Sequence, residues 1–221
     1  MIKKSSLRNY IREQQHKTAI QVAVHMMEIR AKHILDSNDS YEDLYIDPEV
    51  DIINSNPQVI QQVKDELTEF LELLLGNNTK KMLQIGLGHF ASTHFILSLL
   101  LDHIYTVEHD GLHFDRYSTE INSDVETIII GDSTSTEVIN NAKQMAPFDA
   151  VFIDGNHSYE YVKQDLDNYQ DLVKVGGIVA LHDANFEGER YGTPQVIRET
   201  SHDWKKISYS NEVGIAYFIK V

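Results

Sequence analysis

From Lys80 onward the chain repeats one pattern: a short apolar run, then a polar or amphipathic stretch long enough for a helix. The runs are KMLQIG, HIYTVE, ETIIIG, DAVFID and GIVALHD. Their apolar character is continuous rather than alternating. That is how strands read when both faces are covered, and such strands belong to a mostly parallel sheet flanked by helices. The closing stretch, WKKISYSNEVGIAYFIKV, reads as two strands joined by a turn around Ser210 and Asn211.

The expected fold is therefore α/β: a doubly wound, Rossmann-like sheet over residues 80–221, ending in an antiparallel hairpin. Residues 1–79 precede it as a helical cap segment. Within that segment, Leu7, Ile11, Ile20, Val24, Met27 and Ile34 among Arg, Lys and Gln predict one long helix over 5–35. Residues 34–73 hold eleven Asp and Glu against Lys64 alone, a solvated face with a turn-rich loop. Helical spacing returns at PQVIQQVKDELTEFLELLL, with Asn56 as N-cap and Pro57 at the first position.

A chain of 221 residues suits one sizeable core. Its net charge of -15 repels phosphate backbones and anionic membranes, so neither nucleic acid nor a membrane is an expected partner. The absence of cysteine excludes disulfides, thiolate nucleophiles and zinc-thiolate sites, and fits a reducing compartment. MIKKSSLRNYIREQQHK has no apolar region behind its positive charge, and FILSLLL is far shorter than the ~20 residues that span a bilayer. The expectation is a soluble, cytoplasmic protein, with amphipathic N-terminal helices that leave a homo-oligomer open.

In doubly wound sheets, ligands bind outside the carboxyl ends of the strands. Gly86 and Gly88 form a tight turn after the first run, ahead of a helix whose first turn includes Ser92. Such a turn lets a ligand approach the backbone, and a plain glycine turn is the alternative. His89 lies in the same turn. Glu108 ends the second run about 20 residues on, where an acid accepts hydrogen bonds from a ribose; Asp110 is read as the cap of the next helix. Asp132 and Ser133 end the third run, beside an adenine or in a solvated turn.

Asp154 and Asp183 end two central runs and share one rim. Two carboxylates without cysteine suit a hard cation, Mg2+ or Mn2+. His182 is a third ligand or a packing histidine, with Asn185 and Glu187 as other ligand candidates. His157, three residues past Asp154, has the pKa range of a general base; otherwise it caps the helix that follows.

These pieces resemble the class I S-adenosylmethionine-dependent methyltransferases, and specifically the metal-dependent O-methyltransferase branch that includes catechol and macrolide-sugar O-methyltransferases. The resemblance covers about residues 80–221, and its most specific part is VFIDGNHSYEYVKQDLDNYQDLVKVGGIVALHD. It implies that Gly86, Gly88 and Ser92 hold the methionine part of S-adenosylmethionine, Glu108 the ribose, and Asp132 and Ser133 the adenine side. It also implies that Asp154 and Asp183 bind the cation, and that His157 replaces the catalytic lysine of the catechol enzymes. His182 falls where some sugar-modifying members have a glutamate ligand. Gln84 replaces a usual acid, Phe90 a common glycine, and Ala184 an asparagine that completes the catechol-type metal site.

The activity implied is methyl transfer to a hydroxyl of a small molecule, sugar or polyol-like. Tyr159, Arg190 and the loop ANFEGERYGTP are placed toward the acceptor. A nicotinamide-dependent oxidoreductase shares the glycine turn and Glu108 but gives Asp154, His157 and Asp183 no work. A non-catalytic S-adenosylmethionine-binding protein is the other alternative.

Overall fold

The structure, a computed structural model, describes residues 3–37, 62–88, 90–186, 188, 190–208 and 213–221. The expected caps Asn56 and Pro57, His89, Glu187 and the hairpin turn at Ser210 and Asn211 lie outside the described residues. Seven strands form one sheet in the order β3-β2-β1-β4-β5-β7-β6. They are β1 (Lys81–Ile85), β2 (His103–Glu108), β3 (Glu126–Ile130), β4 (Phe148–Ile153), β5 (Val173–Leu181), β6 (Lys205–Ile207) and β7 (Ile215–Ile219). The first five are parallel, and β7 runs antiparallel to both β5 and β6.

The order reverses between β1 and β4. The main chain of one is locked to the other to the very end, Ile85 pairing with Ile153 and Asp154 N–H donating to the Ile85 carbonyl at 2.9 Å. This is the switch point at which an open sheet forms a crevice.

Two cores sandwich the sheet. Alternation along each strand divides its side chains, so Met82, Phe152 and Ala180 enter one core while Leu83, Val151 and Val179 enter the other. The first is covered by α1 (Lys4–Arg12), α2 (His16–Ser37), α3 (Lys64–Gly76) and α4 (Ser92–Leu100). Ile11, Met27, Phe70 and Leu74 from the first three helices belong to the same buried cluster as the strands. The second core includes Val138 of α6 (Thr136–Met145), Leu166 of α7 (Tyr159–Tyr169) and Val196 of α8 (Thr193–Glu199). Helix α5 (Gly111–Tyr117) follows β2.

The single helix expected over 5–35 is two. Gln14 folds back on the end of α1, its N–H donating to the Ile11 carbonyl and its side-chain amide to the Tyr10 carbonyl. Those bonds end the helix where apolar spacing alone gives no stop. The break lets Arg8 lie along the end of α4, donating to the carbonyls of Ser98, Leu101 and Asp102.

Candidate functional site

The glycine turn after β1 is shaped first by the fold itself. Gly86 has φ +93°, and a Cβ there would stand 2.0 Å from the Asp154 carbonyl oxygen, so no larger residue fits between the ends of β1 and β4. The buried Gln84 donates its amide to the Gly86 carbonyl at 2.7 Å. An ionised acid, the residue expected at that position, has no proton with which to make this bond.

Glu108 sits across the turn. Its Oε2 accepts the Leu87 N–H at 2.7 Å, and its Oε1 accepts the Asp110 N–H at 2.8 Å and faces His113 Nδ1 at 3.2 Å. Burial alone would raise its pKa. Hydrogen bonds from His113, Asp110 and Leu87 outweigh burial and hold the carboxyl below its ordinary value. Ser92 opens α4 and is buried, while the preceding Ala91 takes a left-handed φ of 51°. On the far side, Asp132 Oδ1 accepts from both the N–H and the hydroxyl of Thr134, so this acid braces its own turn. The Ser133 carbonyl accepts the hydroxyl of Tyr169 at 2.6 Å.

The second half of the rim gathers Asp154, His157, His182 and Asp183. Asp183 holds φ +59°, unusual for a residue with a Cβ, and this turn out of β5 brings it back toward β4. Ligand atoms of Asp154, His182 and Asp183 all lie within 4.8 Å of one another, the metal-competent cluster among the described residues. Oδ1 of Asp154 and Oδ1 of Asp183 stand 3.0 and 3.3 Å from the same atom, His182 Nδ1. Yet neither ring nitrogen of this buried histidine makes an aligned hydrogen bond.

The remaining carboxylate oxygens are held from outside, Asp154 Oδ2 by the Gln62 amide at 2.8 Å and Asp183 Oδ2 by His157 Nδ1 at 2.5 Å. Burial lowers the pKa of His182, but Asp154 and Asp183 overcome it and drive it well above the ordinary value. Burial raises that of Asp183, and His182 and His157 bring it far below. Positive charge is thus strongly favoured at this spot. The donor set of two carboxylates and an imidazole with unengaged nitrogens fits a divalent cation.

The His157 side chain is 47% exposed, within reach of a ligand. Its backbone is gripped by the loop before α8, Gly192 N–H donating to the His157 carbonyl at 2.8 Å. Tyr191 lies 5.5 Å from its ring and Phe186 a further 4.9 Å from Tyr191. Neither aromatic was singled out in the sequence, although both belong to the loop assigned to the acceptor. Tyr159 instead hydrogen-bonds Glu199 at 2.6 Å on the surface, because as the first residue of α7 it faces α8. Asn185 points to the hairpin, donating to Ser208 at 2.5 Å. Gln62, in the cap segment, carried no sequence signal at all.

Sheet order, closing hairpin and switch point define the class of fold. Residues 83–184 match a family model described as a methyltransferase domain. The α/β unit is thus similar to a methyltransferase domain across its first five strands. No curated protein sequence matches the chain.

Among solved structures, a candidate caffeoyl-CoA O-methyltransferase from Staphylococcus aureus superposes with a TM-score of 0.58 at 19% identity, over 87% of this chain and 100% of that one. An O-methyltransferase from Bacillus cereus, solved with SAH, gives 0.54 at 15% identity over 90% of each chain. MycE, from the mycinamycin biosynthetic pathway and solved with Mg, SAH and mycinamycin VI, gives 0.51 at 19% over 69% of this chain and 48% of its own. At these identities the likeness establishes the fold. No helix among the described residues is long and apolar enough to cross a membrane.

Proposed function

We propose that the protein transfers the methyl group of S-adenosylmethionine to a hydroxyl of a small, sugar or polyol-like molecule, assisted by a divalent cation. The observation that carries this reading is the pair His157 and Asp183 just beyond the carboxyl ends of β4 and β5, 2.5 Å apart, with Asp183 belonging to a cluster fit for a cation. Gly86, Gly88, Ser92 and Glu108 line the cofactor's methionine and ribose end, and Asp132 and Ser133 its adenine end. Asp154, Asp183 and His182 would hold the Mg2+ or Mn2+. When bound, such a cation lowers the pKa of a hydroxyl it touches.

Asp183 is ionised, so the shared proton of the His157 contact sits on Nδ1 and leaves Nε2 as the acceptor. Burial pulls the His157 pKa down, but Asp183 more than offsets it, and the ring is a stronger base than an ordinary histidine. His157 Nε2 takes the acceptor's proton as the oxygen attacks the sulfonium methyl. The O–CH3 bond forms, the S–CH3 bond breaks with its electron pair returning to sulfur, and S-adenosylhomocysteine remains. Tyr191 and Phe186 offer an aromatic wall on which a sugar ring stacks.

His157→Ala should bind S-adenosylhomocysteine as tightly as the parent by calorimetry and lose turnover by 100-fold or more, on the order expected for a general base. Full activity in that variant on any accepted hydroxyl would remove His157 from the mechanism.

A further inference from the structure

The two acids of the cation cluster are arranged alike. Each turns Oδ1 toward the shared point at His182 Nδ1, at 3.0 Å from Asp154 and 3.3 Å from Asp183, and each has Oδ2 held by a neighbour. For Asp183 the neighbour is His157; for Asp154 it is Gln62, whose Nε2 donates at 2.8 Å. A carboxylate with one oxygen fixed by a donor presents the other in a set direction, and such outer partners commonly govern metal affinity by 10- to 100-fold.

Gln62 lies two residues before α3, and the same helix start braces the other acid. Both oxygens of buried Glu66 accept the Gly214 N–H, at 3.0 and 2.9 Å. The Gly214 carbonyl in turn accepts the N–H of Ala184, next to Asp183, at 3.0 Å. One short stretch of the N-terminal segment therefore reaches Asp154 directly and Asp183 through Gly214 and Ala184.

We infer that Gln62 is a positioning residue of the cation site, and that the cap segment completes this site by fixing the ligand face of Asp154. This rests on the cation reading above. The amide suits the task because it donates without adding charge, whereas a third carboxylate here would repel Asp154 or compete with it for the ion.

The test is calorimetric titration of Mn2+ into the full chain, beside titration of S-adenosylhomocysteine. The parent should bind Mn2+, Gln62→Met should bind it 10- to 100-fold more weakly, and both should bind S-adenosylhomocysteine alike. Gln62→Glu, which keeps the length but cannot donate, should fail to restore Mn2+ affinity, and it gives the answer if the Met variant does not fold. Equal Mn2+ affinity in parent and Gln62→Met would overturn the role of Gln62 and leave the cation reading standing. Tighter binding by Gln62→Glu would also overturn it, since the position would then act as a ligand. A parent that binds no Mn2+ would remove the cation reading itself, and the role of Gln62 with it.

Discussion

Arg30 Nη1 donates to the carbonyl of Phe90 at 2.7 Å, joining α2 to the loop between β1 and α4. The rest of the guanidinium grips Glu120 at 2.7 and 2.8 Å and lies over the rings of Phe95 and Tyr117, 5.1 and 5.4 Å from their centroids. Phe90 immediately precedes Ala91, whose left-handed backbone starts α4. The arginine therefore fixes the carbonyl next to a strained turn of the proposed cofactor loop. Arg30→Met should raise KM for S-adenosylmethionine by roughly 10-fold with kcat little changed, since only the loop is disturbed. Arg30→Lys should restore little, because an ammonium cannot bind Glu120 through a fork and Phe90 together. An unchanged KM in both would show that the loop holds its shape without α2.

Gly86 makes a sharper prediction about the same loop. Its φ of +93°, and the 2.0 Å that would separate an added Cβ from the Asp154 carbonyl oxygen, leave alanine no relaxed position. Gly86→Ala should cost at least about 2 kcal/mol, from backbone strain and displacement of β4 together. For a domain of this size that lowers the melting temperature by about 5 °C or more. A variant that melts with the parent would mean that the ends of β1 and β4 separate easily.

The fold was legible because its strands announce themselves: five continuous apolar runs with acids or glycines at their ends leave little choice of architecture. The rim followed from that, since Asp154 and Asp183 lie on one edge wherever β4 and β5 are neighbours. Glycine was ambiguous for a physical reason. Gly86 answers to the neighbouring strand, and a turn shaped by packing reads the same as one shaped by a ligand. The contributions of the cap segment were not legible. Gln62, Glu66 and Arg30 act across 92, 148 and 60 residues of sequence, and no local pattern encodes a contact over such a distance. The break between α1 and α2 was missed because a side-chain amide makes it, without glycine or proline.

Behind α4 lies a buried charge network that should set the acid limit of the fold. Glu126 Oε1 accepts from Lys4 at 2.7 Å and from Tyr117 at 2.6 Å, and meets His94 Nε2 at 3.1 Å. Burial would raise the Glu126 pKa, but His94 and Lys4 outweigh it and bring it down to about 2. A carboxyl depressed in the folded state stabilises fully above its unfolded pKa, near 4.5, and loses that contribution as pH falls toward 2. The linkage amounts to roughly 3 kcal/mol. Glu126→Gln should lower the denaturation midpoint at pH 7 and flatten the fall in stability between pH 4.5 and 2, followed by urea unfolding at each pH. A parallel pH dependence in parent and variant would locate the acid sensitivity elsewhere.

Asp165 gives the opposite sign. It is fully buried on the inner face of α7, beside the turn that holds Asp132 and Ser133, and neither carboxyl oxygen has an aligned hydrogen bond. Burial lifts its pKa to about 7, with the nearby Asp132 adding to the shift and the Ser133 hydroxyl moderating it. The folded chain then binds a proton that the unfolded chain has released, so stability falls as pH rises from about 4 to about 7 and levels off above. Asp165→Asn keeps the shape and removes the ionisation. It should raise stability at pH 8 by about 1 to 3 kcal/mol, the discounted equivalent of this shift, and change it little at about pH 3, where the parent carboxyl is mostly neutral in the folded and the unfolded chain alike. Calorimetric melting of both proteins at the two pH values decides the matter. A loss of stability at the higher pH would mean that the ionised Asp165 is held by a partner in solution, and that the turn beneath Ser133 depends on its charge.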